Sequence, residues 1–300
     1  MVQMVDQPRV ARPVAARGTR LSRVTRQRLQ SAAALIVIVV GAAIIVLPLA
    51  WMISTSLKRQ MDVFVLPPKW IPAPPQWRNY AEVFDGAPFD RYLLNSTIIT
   101  CCCVVGTVTS CSLAAYGFAR LRFPGRELLF VMLLSTLMLP EPVTLVPRFI
   151  VFEKLGWLNT FKPLIVPSFF GGAFQIFLLR QFFRTIPLDL EDAARLDGAG
   201  TFRIFATIVL PLSKPALVTA AIFTFIFTWN DFLHPLLYLN TEDKYTVAIG
   251  LLNFTGSDRI GPQMHLLMAA SFLATVPVLI VFLLAQRLFV KGIVFSGIKG

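Results

Sequence analysis

LDLEDAARLDGAGTFRIFATIVLPLSKP, residues 188–215, is a polar stretch between two apolar segments that each look membrane-spanning. Its pattern is helix, glycine break, helix, proline stop. Asp189 is placed to cap a first helix, with Asp192 three residues on as an acidic variant of the capping box. Ala193, Ala194 and Leu196 give that helix a small-residue face. Gly198 falls where a left-handed C-cap is expected. Thr201 is placed to cap a second helix carrying Phe202, Ile204, Phe205, Ile208 and Val209, and Pro211 to end it. Two short helices at an angle, presenting acids and small residues, form a ball for a partner's socket. The plainer alternative is an amphipathic hairpin lying on a membrane surface.

Working outward, the 300 residues are 56% hydrophobic and 15% charged, which excludes an ordinary soluble domain and fits a polytopic helical membrane protein. Uncharged or nearly uncharged segments fall at 31–56, 92–119, 128–147, 163–179, 215–239 and 265–289. Each approaches or exceeds the about 20 residues at 1.5 Å that span a hydrocarbon core. They run long and lack two-residue alternation, so six helices are expected rather than a barrel. The expected organisation is a basic tail at 1–30 and a six-helix domain at 31–300. Its connecting loops are 182–213 on the tail's side and 58–91, 148–162 and 240–264 on the other. The tail holds seven Arg and one acid, Asp6, without the apolar core and cleavage site of a secretory signal, so it reads as retained. Placing the tail inside gives 18 Lys and Arg within and 10 outside, with the acids divided the other way. The positive-inside rule therefore puts both termini and the 188–215 hairpin in the cytoplasm of a cell whose plasma membrane the chain crosses. The four Cys lie together in the second segment, Cys101, Cys102, Cys103 and Cys111, and read as small hydrophobes with neither disulfide nor metal spacing.

The hairpin resembles the EAA loop of ABC-importer permeases, whose pattern is roughly E-A-A-x-x-D-G-A followed by x-I-x-L-P. Here it reads Asp192-Ala193-Ala194-Arg195-Leu196-Asp197-Gly198-Ala199, then Ile208-Val209-Leu210-Pro211. The first acid is Asp192 instead of Glu, with Glu191 beside it. Further stretches resemble the carbohydrate-uptake branch related to the second maltose permease subunit. These are Ala114-Ala115-Tyr116-Gly117-Phe118-Ala119-Arg120 with Phe123-Pro124-Gly125, and Trp229-Asn230-Asp231-Phe232-Leu233 with Pro235-Leu236. The end is similar too, Gly297-Ile298-Lys299-Gly300 standing where the family has Ala-Val-Lys-Gly. The resemblance implies a pore shared with a second permease subunit, a cytoplasmic ATPase dimer holding ATP and Mg, and an extracytoplasmic solute-binding protein. It implies that Glu191, Asp192, Ala193, Ala194, Asp197, Gly198, Ala199 and Pro211 serve ATPase coupling, and that Lys299 and Gly300 reach the ATPase.

Within the segments, Asp231 is the acid in the middle part of the fifth, and intramembrane acids usually face a cavity or a partner. Trp229 and Asn230 beside it, and Phe225 and Thr228 one turn back, complete a candidate substrate path. An amide, a carboxylate and an aromatic face suit a sugar, whose hydroxyls need donors and acceptors. The alternative role for Asp231 is capping a kink before Pro235. Glu141, between Pro140 and Pro142, reads as a helix-end residue, and His234 and His265 as interfacial. No Lys or Arg lies deep in a segment, which disfavours an obligatorily anionic solute, although glycerol phosphate, its diesters and polyols stay open through the resemblance. There is no phosphate-binding P-loop, zinc-protease motif or nucleophile elbow, so the chain is expected to be no enzyme, to hold no cofactor or metal and to bind no nucleic acid. A reading from another class is a stand-alone ion-coupled carrier using Asp231 and Glu141.

Overall fold

The computed structural model describes residues 23–256 and 263–296, with side chains for 30–256 and 263–286. Most of the expected tail, and the proposed contacts at Lys299 and Gly300, lie outside the described residues. The described chain is almost wholly helical, without strands. In order the helices are α1 (Arg23–Ser56), α2 (Arg78–Gly86), α3 (Phe89–Arg120), α4 (Arg126–Ser135), α5 (Glu141–Lys154), α6 (Lys162–Ile165) and α7 (Ala173–Phe183). There follow α8 (Asp189–Leu196), α9 (Thr201–Ile204), α10 (Leu210–Leu212), α11 (Lys214–Trp229), α12 (Leu233–Tyr238), α13 (Val247–Gly250) and α14 (Met264–Ser296). Two compact units divide after Trp51. The first contains the larger part of α1, a helix that runs on through Pro48 and begins inside the stretch expected to be tail. All other helices belong to the second unit.

Four stretches are long and apolar enough to cross a membrane, Gln30–Ser56, Phe89–Arg120, Lys162–Phe183 and Met264–Gln286. Two more qualify only as bent pairs, Arg126–Met138 with Glu141–Lys154 at 100° and Thr201–Leu212 with Lys214–Trp229 at 78°. The expected third segment at 128–147 is therefore not one helix. Leu139 precedes Pro140, whose ring drives it out of the helical region to ψ 118°. The helix resumes at Glu141 with Pro142 in its first turn, where no amide donor is needed. The fifth segment also stops short, at Trp229, and α12 follows after a three-residue break.

Helix α3 is the spine of the second unit and makes its broadest contacts with α11 and α7. Its residues take three roles along its length. Phe89 and Tyr92 join Val83, Trp229, Val247, Phe254 and Leu266 in one apolar cluster. Cys111, Ala115 and Tyr116 join Leu179, Phe183, Ile204, Val209, Ala216 and Ala220 in another. Small residues recur where α3 meets α11, as expected where close backbone approach rather than hydrophobic expulsion drives helix pairing. Helix α3 also approaches the fourth segment closely, at Gly106, where a β-carbon would lie 2.5 Å from Ser168 Oγ and 2.7 Å from the Phe169 ring. The glycine pair at 171–172 breaks the fourth segment, because Gly171 has φ +87° between a 3-10 turn and α7. All four Cys are free thiols.

Candidate functional site

Between the two apolar clusters the same face of α3 turns polar. Ser96, Thr100, Cys103 and Thr107 follow one another at four-, three- and four-residue steps, which stack on one side of a helix. They line a cavity of about 370 Å³, whose far wall carries Gln175 from α7, Thr224 and Thr228 from α11, and Asp231. Helix α5, swung round by its 100° bend, brings Arg148 to the same cavity. This volume is within the range of small-molecule sites, which combine apolar walls with a few placed polar groups.

The two carboxylates near the cavity meet on one imidazole. His234 Nδ1 lies 2.9 Å from Asp231 Oδ2, and His234 Nε2 lies 3.0 Å from Glu141 Oε1. The backbone N–H of His234 also donates to Asp231 Oδ1 at 3.2 Å. Asp231 thus lines the cavity and accepts the amide of His234 in the first turn of α12, whose N-cap is Phe232. His234 joins α12 to α5.

The predicted path residues divide. Thr228 and Asp231 line the cavity; Phe225, Trp229 and Asn230 do not. Trp229 is 5% exposed, stacks on Phe225 at 5.6 Å and donates its Nε1–H to Ala274 O at 3.0 Å. Residues 225 and 229 are one helical turn apart, and that face packs against α14. Asn230 Nδ2 donates to Ile226 O at 2.8 Å, back onto its own helix end. The polar stripe on α3 leaves little trace in hydropathy because Ser, Thr and Cys barely lower the apolarity of a span. Its spacing was the available signal.

The 188–215 stretch forms a helix–turn–helix whose caps differ from expectation. Leu188, not Asp189, is the N-cap of α8, and no side chain bonds the open amides. Asp192 pairs instead with Arg195 at 2.8 Å. Gly200, not Thr201, caps α9. Gly198 is left-handed at φ +79°, and the bonds Gly198 N–H to Arg195 O and Ala199 N–H to Ala194 O close a Schellman turn. Pro211 does not stop the second half. A wide π turn at Phe205–Val209 leads into α10 and carries the helix past the proline, whose missing N–H has no partner to lose there. The stop comes at Ser213.

Of the residues assigned to coupling, Asp192, Ala193, Asp197, Gly198 and Pro211 are exposed, and Ala194 and Ala199 are half-buried against the lower cluster. Leu196 and Phe202 stand out at 90% and 72% exposure. Glu191 is different, being fully buried. Its Oε1 lies 2.8 Å from Nε of Arg120, the last residue of α3, and Arg120 Nη2 donates to Phe183 O at 2.7 Å and Ile186 O at 2.5 Å.

Comparison with known proteins places these features. The family model of the binding-protein-dependent transport system inner membrane component matches residues 106–294. The sn-glycerol-3-phosphate transport system permease protein UgpE of Yersinia enterocolitica is 36% identical over 267 residues, 87% of this chain and 95% of that protein. The trehalose transport system permease protein SugB of Mycobacterium tuberculosis is 37% identical over 264 residues, 88% and 95% of the two chains. A crystal structure of a bacterial ABC transporter involved in the import of the acidic polysaccharide alginate superposes with TM-score 0.78 at 22% identity. It covers 90% of this chain and 99% of that one, and shows a shared fold.

Proposed function

The chain belongs to the binding-protein-dependent transport system inner membrane components, and from that premise we propose that it forms half of the pore of an ATP-driven importer for a sugar or related polyhydroxylated solute. The stand-alone carrier suggested by Asp231 and Glu141 gives way to this reading. The observation that carries it is the pairing of a polar cavity, midway along α3, with an exposed helix–turn–helix beyond the end of the same helix. The positive-inside count supports a cytoplasmic hairpin and cytoplasmic termini. An ATPase dimer there, holding ATP and Mg, supplies the energy. Its closure moves the hairpin, rocking this chain and a second permease subunit from inward-open to outward-open, and the solute enters from an extracytoplasmic binding protein. Asp192, Asp197, Leu196 and Phe202 supply the docking surface. Thr228, Asp231, Gln175 and the α3 stripe offer donors and acceptors to hydroxyl groups.

Mass spectrometry of what co-purifies with the tagged chain in mild detergent tests the assembly. Recovery of a second permease and a P-loop ATPase is expected; a chain that transports solute alone overturns it. The hairpin's role is tested by Gly198→Asp. A side chain at φ +79° strains the turn, so uptake is expected to fall while the protein stays in the membrane. Unchanged coupling of uptake to ATP hydrolysis defeats the assignment.

Arg148 favours a second reading of the solute. A guanidinium at the cavity suits a phosphate or carboxylate. Competition of labelled uptake by glycerol phosphate, trehalose and polyols separates the two, and Arg148→Gln abolishes the anion's advantage if the solute is anionic.

A further inference from the structure

The helix α8 has a peculiarity that its exposed docking face does not explain. Glu191 is its only buried side chain. Its leucines face outward, Leu190 at 44% and Leu196 at 90% exposure, so no large apolar residue anchors it. The second half of the hairpin is held otherwise, with Ile204, Phe205 and Val209 sunk in the lower apolar cluster. The first half is thus fastened at Arg120. That guanidinium, 5% exposed, holds three things together: the end of α3 on which it sits, the last carbonyls of the α7 segment through Phe183 and Ile186, and α8 through Glu191. Arg195 Nη2, 3.5 Å from Glu191 Oε2, is the other cation near that carboxylate. Nη2 carries both carbonyl bonds, while Nε lies 2.8 Å from the carboxylate as a close buried ion pair without hydrogen-bond alignment, so one guanidinium serves the α7 end and α8 through different nitrogens.

We propose that Arg120 is a positioning residue for energy coupling: through Glu191 it makes α8, α3 and α7 move as one body, so that a push on the hairpin reaches the α3 stripe that lines the cavity. This rests on the hairpin being the ATPase contact. An apolar anchor would tolerate sliding of α8 over its support, whereas a buried carboxylate cannot leave its counter-charge, and that cation is pinned by Nη2 to the Phe183 and Ile186 carbonyls. Glu191 accordingly serves the same joint from inside rather than the docking surface.

The test uses the assembled transporter, this chain with its partner permease, ATPase and binding protein, reconstituted in vesicles. Arg120→Lys keeps a cation for Glu191 but loses the fork; Glu191→Gln keeps the shape and loses the charge. Solute taken up per ATP hydrolysed is expected to fall roughly tenfold in both, a loss within the usual span of coupling between sites. The amount of complex and its ATP hydrolysis should stay within about twofold of the parent. A merely structural role would lower assembly, uptake and hydrolysis together and leave the ratio unchanged; that result overturns the proposal, as does failure of both variants to assemble. Gly198→Asp run alongside separates the underlying reading. If Gly198→Asp retains the ATPase and full coupling, the hairpin is not the contact; if it uncouples while both joint variants stay coupled, Arg120 alone is misassigned.

Discussion

Asp231 carries two loads, and substitutions separate them. Asp231→Asn keeps an oxygen for the His234 amide but removes a negative charge from the cavity wall and from the imidazole. Uptake is expected to fall roughly tenfold, as for loss of one charge-assisted bond, with thermal stability in detergent little changed. Thr228→Val, which removes a hydroxyl from the same wall, should weaken solute transport in the same assay. Trp229→Phe should behave oppositely. It deletes the bond from Nε1 to Ala274, costing about 1 kcal/mol of stability, and leaves solute affinity alone. Affinity loss in Trp229→Phe, with none in Thr228→Val, would show that the cavity is not the path. At this scale the sequence was legible where a residue was chemically out of place, as an acid in an apolar run is. It was not legible where direction decided, because Trp229 and Thr228 are neighbours in the chain and point to different helices. Nor could the chain reveal that Arg148, counted in a loop, returns to the cavity, since that depends on a 100° bend.

The elements were read best where a backbone rule acts locally. Gly198 must be left-handed to close the Schellman turn, and a glycine between a helix and a second amphipathic run states as much in one dimension. The caps are Leu188 and Gly200 rather than the acid and hydroxyl beside them, and neither makes a side-chain cap bond, so the usual capping residue types carry no signal there. Pro211 was misread because a π turn widens the helix ahead of it, an arrangement with no sequence signature. The broken spans follow from prolines that were visible, but their angles do not. A prediction belongs to the crossing of α3 over the fourth segment. Gly106→Leu inserts a side chain where even a β-carbon would overlap Ser168 and Phe169. Overpacking of this kind costs about 1–3 kcal/mol. The melting temperature of the purified protein should drop by several degrees, and an unchanged value would mean the two elements separate easily.

On the scale of the whole molecule, the second unit is two apolar clusters with a polar chamber between them, all threaded by one helix. In the rocking cycle proposed above, a chamber so placed would expose its wall to one side and then the other. One wall residue is a thiol. Cys103 is free, 3% exposed and held toward Leu164 O, while its neighbour Cys101 lies exposed at an apolar groove. The chain therefore carries its own reporter. A water-soluble maleimide should label Cys103 when the chamber is open and fail when it is shut, whereas a lipid-soluble reagent should find Cys101 throughout. Trapping the ATPase with a non-hydrolysable nucleotide ought to switch the side from which Cys103 is reached, letting each half of the transport cycle be timed without an engineered label.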